Sequence, residues 1–360
     1  MRAAWAAEPS RGFTRGFPRP PIALGTLLMA LGCGHGEPFV TPPPGPLDLL
    51  DPTLPRRLTF NTAADVGPSV IGDTLVFSRA DPNRADGDAC LALLPVAGGR
   101  LTRVACARGP TTDTVRDSWL DPAISPDRRR VAFVHERRSI ATGSLVGRAL
   151  VVAALDDPDS VALRVTRLYP LPGGGLGNGF HRLSWAGDNA VRFLGGLETV
   201  GSRGGFLPSG VFEVPVGGDS APVAQVVPGL ADAVAYAVGE DDTVYFASGA
   251  DSAFYRWTAG SPPVPDGPWD CPGGSGFGGF TGVAAGGDVL AVIAICIDPV
   301  AGPRRRLLAR DIAGGTARAI DLPFEPEAVA GVPSRPWVVV EAAGDLWLVA
   351  LRAAAATSAF

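Results

Sequence analysis

Past residue 56, short stretches rich in Val, Leu and Phe alternate with breaks of Gly, Asp and Pro, and no window keeps its apolar residues at helical spacing. From Asp65 one pattern recurs: a small-residue strand, a Gly or Asp turn, a strand rich in Val, Phe or Tyr, another apolar strand and an outer polar one. The second strand is the easiest to find: TLVFSRA (74–80), RVAFVHE (130–136), AVRFLGG (190–196), TVYFASG (243–249), VLAVIAI (289–295) and WVVVEAA (337–343). Their starts lie 56, 60, 53, 46 and 48 residues apart, room for four short strands and their turns. Third strands follow at 90–96, 149–155, 210–216, 253–259, 306–312 and 345–351, several ending in turns such as Gly98-Gly99, Asp156-Asp157 and Gly314-Gly315.

A four-stranded twisted sheet buries both faces only against similar neighbours, and a closed ring of six does this for every unit. The predicted fold is therefore all-β, a six-bladed β-propeller over residues 56–351 with a short tail at 352–360. The last unit lacks its outer strand, and RRLTFNT (56–62) is expected to supply it, packing Leu58 and Phe60 into the final blade.

Composition agrees with a turn-rich chain: 47 Gly and 35 Pro in 360 residues, no collagen period, and 46% hydrophobic residues. All 31 basic residues are Arg, and the net charge of −5 becomes −8 when residues 1–32 are set aside. That balance gives no global attraction for a polyanion, so nucleic acid is not an expected partner. The Arg128–Arg130 and Arg304–Arg306 clusters read as solvated turns or strand ends.

The amino terminus reads as an address. Arg2, Arg11, Arg15 and Arg19 precede an apolar run from Ile22 to Leu31, the arrangement of an export signal over residues 1–32 and too short to span a bilayer comfortably. The segment Ala30-Leu31-Gly32-Cys33 resembles a bacterial lipobox, which implies cleavage before Cys33 and acylation of its thiol, anchoring the chain in a lipid bilayer. Gly34 after the cysteine resembles lipoproteins released to the outer membrane, so the expected location is the bacterial cell envelope. Residues 33–55 are rich in Pro and Gly and read as an extended tether.

Four further cysteines are an even set in an oxidising compartment. If the turn in LALLPVAGGRLTRVA centres on Gly98, residues whose numbers sum to 196 face each other, and Cys90 sits opposite Cys106. Cys271 and Cys296 are the other expected pair, joining a Gly-rich loop to a strand.

DPAISPDRRRVAFVHE (121–136) resembles the Ser-Pro-Asp-Gly turn and following apolar strand of TolB-like, WD40-like propeller repeats, with Arg128 where the usual Gly would stand. Weaker echoes occur at 56–80, 184–193 and 235–246, so the resemblance spans about residues 55–351. It implies the propeller fold and permits an envelope scaffold role. The turn has a structural account, since Pro126 fixes φ while Ser125 or Asp127 bonds nearby backbone.

Few residues carry a recognisable catalytic or ligand-binding pattern. There is no G-x-S-x-G elbow, no H-E-x-x-H and no clustered Cys/His set, so no metal or cofactor is expected. The acidic stretch DPNRADGD (81–88) lacks the closing Glu of a calcium loop. His135 reads as a surface or hydrogen-bonded group, and His181 is the histidine best placed for ligand contact. Loops entering the first strand of every unit converge at one end of a propeller. The binding candidates there are Arg116, Asp117 and Trp119, His181 and Arg182, Asp232, Phe277 and Phe280, and Glu325 and Glu327, although Trp119 and Phe280 also suit packing between blades.

The leading expectation is a noncatalytic envelope lipoprotein whose propeller binds a protein or glycan. The alternative is a polysaccharide hydrolase or lyase using His181 and acidic residues at the central mouth, and a third reading is a purely structural scaffold.

Overall fold

A computed structural model describes residues 54–60, 63–80, 89–106, 114–166, 168–172, 174–198, 206–217 and 222–352. The export signal, Cys33, nearly all of the tether, the 81–88 loop and all but the first residue of the tail lie outside these residues. No helix among them is long and apolar enough to cross a membrane.

The chain enters through β1 (Arg56–Arg57) and then builds four-stranded antiparallel sheets in sequence order. Blade 1 comprises β2 (Asp65–Ile71), β3 (Thr74–Ala80), β4 (Ala89–Pro95) and β5 (Arg103–Ala105). Blade 2 comprises β6 (Val115–Ile124), β7 (Arg130–Ser139), β8 (Leu145–Ala154) and β9 (Val161–Val165). A small hairpin, β10 (Tyr169–Pro170) with β11 (Leu176–Gly177), leads into blade 3. That blade holds β12 (Gly179–Ala186), β13 (Ala190–Glu198), β14 (Phe206–Pro215) and β15 (Ala224–Gln225). Blade 4 follows as β16 (Ala233–Val238), β17 (Val244–Ser248), β18 (Phe254–Trp257) and β19 (Val264–Pro265). Blade 5 is β20 (Gly276–Gly286), β21 (Val289–Asp298), β22 (Gly302–Asp311) and β23 (Arg318–Ile320). Blade 6 is β24 (Ala328–Val332), β25 (Trp337–Ala342) and β26 (Asp345–Ala350), completed on its outer edge by β1.

The fold is thus a six-bladed propeller in which the amino-terminal strand closes the last sheet. Arg56 pairs with Leu348 and Arg57 with Trp347, and Leu58 N then donates to Leu346 O at 2.7 Å. The labelled strand is shorter than the expected 56–62: at Thr59 the side-chain Oγ1 takes over as acceptor of Leu346 N, and Phe60, half-buried, lies under the Arg57 guanidinium. Leu58 is buried with Leu346, Leu348, Leu75 and Phe77, so the closing strand also joins blade 6 to blade 1.

Apolar clusters fill all six gaps between neighbouring blades, which explains why middle strands such as β21 are buried on both faces. The largest lies between blades 2 and 3, where Tyr169 packs on Phe180, Phe193 and Phe212.

The turn from first to second strand contains a residue of positive φ in every blade: Gly72, Arg128, Gly187, Asp242, Gly287 and Ser334. Arg128, at φ 57°, occupies the left-handed position that favours glycine. The surrounding turn holds through Arg130 N to Ser125 Oγ (2.9 Å) and Arg129 N to Asp127 Oδ1 (3.0 Å).

Both expected disulfides are present. β4 and β5 pair Leu91 with Ala105 and Ala92 with Val104, the register that brings Cys90 to Cys106, with Cα atoms 4.4 Å apart. Cys271 is bonded to Cys296 on β21.

The inner hairpins of blades 2, 3 and 5 run farther than the apolar pattern predicts, as β7 continues through Arg137, Arg138 and Ser139. Backbone ladders do not require apolar side chains, and these extensions carry charge to one end of the ring. Strand alternation fixes that end: entries to first strands and turns between second and third strands share it. We call it the mouth.

Candidate functional site at the mouth of the ring

The first strands pack around the ring axis, and five of them are interrupted by a β-bulge. In blades 1, 2 and 3 the bulge holds Gly67, Asp121 and Arg182 at φ values of 62°, 48° and 50°. Asp121 and Arg182 are not glycines, and such a backbone costs about 1–3 kcal/mol per residue. The surrounding structure imposes this conformation, and bulges of this kind re-aim side chains.

Asp121 is directed at the neighbouring blade, where its Oδ2 lies 3.3 Å from His181 Nδ1. On the other side of the imidazole, Nε2 is 3.1 Å from Glu198 Oε2. Both ring nitrogens face carboxylates, an arrangement suited to imidazolium, and the Arg148 guanidinium 3.0 Å from Nε2 opposes that charge. The ring also lies against Phe206, with centroids 4.0 Å apart. Beneath it the buried Arg148 reaches Glu136 at 2.6 Å, Glu198 at 3.3 Å and the Phe180 carbonyl at 2.8 Å. Arg138 joins the network through Glu136.

The protonation states follow from these contacts. Burial opposes the charged form of His181, but the hydrogen bonds to Asp121 and Glu198 outweigh it and raise the pKa above the ordinary 6.5. For Asp121, burial pushes upward and is overcome by the His181 hydrogen bond and the charges of His181, Arg148 and Arg182, leaving the carboxyl below its usual range. Glu198 is lowered by the same balance, with Arg148 and Arg138 assisting.

Arg182 reaches past blade 4 and donates from Nη2 to the Thr281 carbonyl in blade 5 at 2.8 Å. Its own carbonyl accepts the Tyr236 hydroxyl at 2.7 Å. Blade 6 contributes Glu341, whose Oε2 accepts Gly67 N at 2.9 Å. Burial, with Glu327 and Asp121 nearby, pushes the Glu341 pKa up to about 7 despite the Gly67 hydrogen bond.

Of the residues singled out from sequence, His181 and Arg182 belong to this assembly, and Glu327 borders it through Glu341. Asp117 holds His135 Nε2 at 2.7 Å and Arg137 at 3.3 Å within blade 2. Arg116 is exposed, opposite Arg138 on β7. Trp119 is buried against Phe133, and Phe280 is buried with Phe254, Phe277 and Trp269 between blades 4 and 5. Asp232 anchors a turn, accepting Ser248 Oγ at 2.6 Å and Ala250 N at 3.0 Å. Glu325 is exposed before β24.

The residues not singled out are Asp121, Glu136, Arg138, Arg148, Glu198 and Glu341. All lie within strands, where the repeat pattern treats side chains as wall; the usable signal was a charge at the end of an otherwise apolar run, as at Glu136 after RVAFVH. Among the described residues no group of three or more His, Cys, Asp or Glu is placed to hold a metal ion.

No protein-family model matches the chain, and no curated protein matches it. Among solved structures, a prolyl endopeptidase aligns with a TM-score of 0.47 and 17% identity over 77% of this chain and 45% of its own. This chain thus spans under half the length of that enzyme. The Cps50 (Swd1) β-propeller domain of Myceliophteria thermophila aligns with a TM-score of 0.47 and 9% identity, covering 81% of this chain and 99% of that one. The β-propeller domain of the Trilobed protease from Pyrococcus furiosus gives 0.41 and 12%, covering 79% and 94%. The class, a six-bladed β-propeller closed by its amino-terminal strand, rests on this chain's own strand order.

Proposed function

We propose that this chain is a noncatalytic binding lipoprotein of the bacterial cell envelope, acylated at Cys33, resident in the outer membrane and presenting its mouth to a protein or glycan partner. One observation carries the binding role: the mouth carboxylates Asp121, Glu136 and Glu198 are each already held by Arg or His on a rigid ring. Groups neutralised in this way suit recognition by a preformed surface better than proton transfer. The basic, apolar and Cys-terminated leader supports the address. Capture of envelope components on the acyl-free propeller tests the reading. Retention of a defined protein or glycan that is lost in His181→Ala and Arg182→Ala is expected, and failure to retain any component would count against it. The mass of the mature amino terminus tests the anchor, and a lipid-free Cys33 would remove it.

Glu341 favours a second reading, a polysaccharide hydrolase or lyase, because a buried carboxyl titrating near neutrality is suited to acid–base work. Product formation from a polysaccharide panel that disappears in Glu341→Gln and His181→Ala would select this reading over the first.

A further inference from the structure

A cleft of about 360 Å³ opens at the end of the ring opposite the mouth, between the outer parts of blades 3 and 4. Its position follows from its walls: Asp241 and Asp242 lie in the turn from first to second strand of blade 4, and Thr258 follows that blade's third strand. Arg192 and Glu213 supply the blade 3 side as a cross-strand pair. The Arg192 guanidinium bonds Glu213 at 2.8 Å and reaches Asp242 in the next blade at 3.2 Å. The Arg192–Asp242 contact thus joins the two blades at the cleft.

Two lining groups are spent on local structure. Asp241 caps its own turn through Thr243 N and Oγ1, and Gln225 is committed to the turn ending at Leu230. Four groups remain for a ligand. Trp257 is half-buried against the core between blades 3 and 4, and its Nε1 has no hydrogen-bond partner among the described residues. The Thr258 hydroxyl is similarly unpartnered there, and Glu213 and Asp242 each have a carboxylate oxygen that no hydrogen bond engages.

We propose that this cleft binds a neutral pyranose sugar. An indole offers a flat apolar wall to the C–H face of a sugar ring, while carboxylates, a hydroxyl and an N–H at its border match vicinal hydroxyls that both donate and accept. The volume suits a ligand of one to two rings, within the usual range of small-molecule clefts. Charge narrows the class: Glu213, Asp241 and Asp242 against the single Arg192 leave the lining negative, which disfavours uronic acids and phosphorylated sugars. The site extends the glycan reading to a second place on the molecule and stands whether or not the mouth has a partner.

Saturation-transfer NMR and calorimetry on the purified full chain test it, with cellobiose, maltose and chitobiose as neutral probes and digalacturonate as the acidic one. At least one neutral disaccharide is expected to bind with a Kd of about 1 mM or tighter, and digalacturonate about tenfold more weakly or not at all. Trp257→Ala should weaken binding about tenfold or more, with Trp257→Phe recovering part of it. Asp242→Asn should also weaken it. The proposal is overturned if no neutral disaccharide binds, if digalacturonate binds more tightly, or if Trp257→Phe and Asp242→Asn, folded as wild type, bind as wild type does.

Discussion

His181 and Asp121 face each other across the boundary between blades 2 and 3, with Nδ1 and Oδ2 3.3 Å apart, and Glu198 holds the opposite ring nitrogen. The folded-state pKa of His181 is raised, so its contribution to stability is complete below the unfolded value of 6.5 and is lost as pH rises through the folded value. Asp121 and Glu198 are lowered, so theirs is present above 3.8 and 4.5 and is lost as pH falls through the folded values. The deficit in melting temperature of His181→Gln should therefore be largest at about pH 5.5 and shrink on the alkaline side. A deficit independent of pH would show that the imidazole only fills space.

Glu341 is shifted in the same direction as His181 and opposite to Asp121 and Glu198. Its pKa rises from 4.5 to about 7 on folding, so the folded state binds more protons between these values and stability falls as pH increases through that window. Glu341→Gln keeps an acceptor for Gly67 N and removes the buried charge. Thermal unfolding at about pH 8 should show the variant more stable by on the order of 2 kcal/mol, with the difference vanishing below pH 4.5.

Closure of the ring can be weighed at Leu58, which is buried in the cluster linking blades 6 and 1. Leu58→Ala should destabilise by about 2–5 kcal/mol in urea unfolding. A loss near zero would mean that the final blade holds without its amino-terminal strand.

Arg128 pays a left-handed backbone cost that its salt bridge with Asp73, exposed on both sides, does little to offset. Arg128→Gly should raise stability by about 0.5–1 kcal/mol, after allowing for the greater freedom of glycine in the unfolded chain. A lower melting temperature would contradict this account of the turn.

The Cys90–Cys106 bridge closes a loop with a sequence separation of 16. Replacing both cysteines with Ser should cost about 3 kcal/mol under non-reducing conditions, and the gap to wild type should close when reductant is added.

Much of the ring was legible from residue order. Five second strands begin where the apolar pattern places them, at Thr74, Arg130, Ala190, Val289 and Trp337, and the sixth begins at Val244, one residue later than expected. The Cys90–Cys106 register was equally readable, because hairpin pairing depends on where the turn is centred. Less legible were the lengths of the inner hairpins and the small hairpin at 169–177, since charged or Pro- and Gly-rich segments can join a ladder without an apolar signature.

The site divides along the same line. His181 and Arg182 could be picked out because they immediately precede an inner strand, whereas Asp121, Arg148, Glu198 and Glu341 come from three different blades and are up to 220 residues apart. The repeat, the sheet order, the closure and the Cys90–Cys106 bridge are readable from residue order, because each follows from local periodicity or from pairing between segments with recognisable patterns. Which charges meet emerges only on folding, because ring closure and backbone bulges aim side chains at one another in directions that no one-dimensional pattern records.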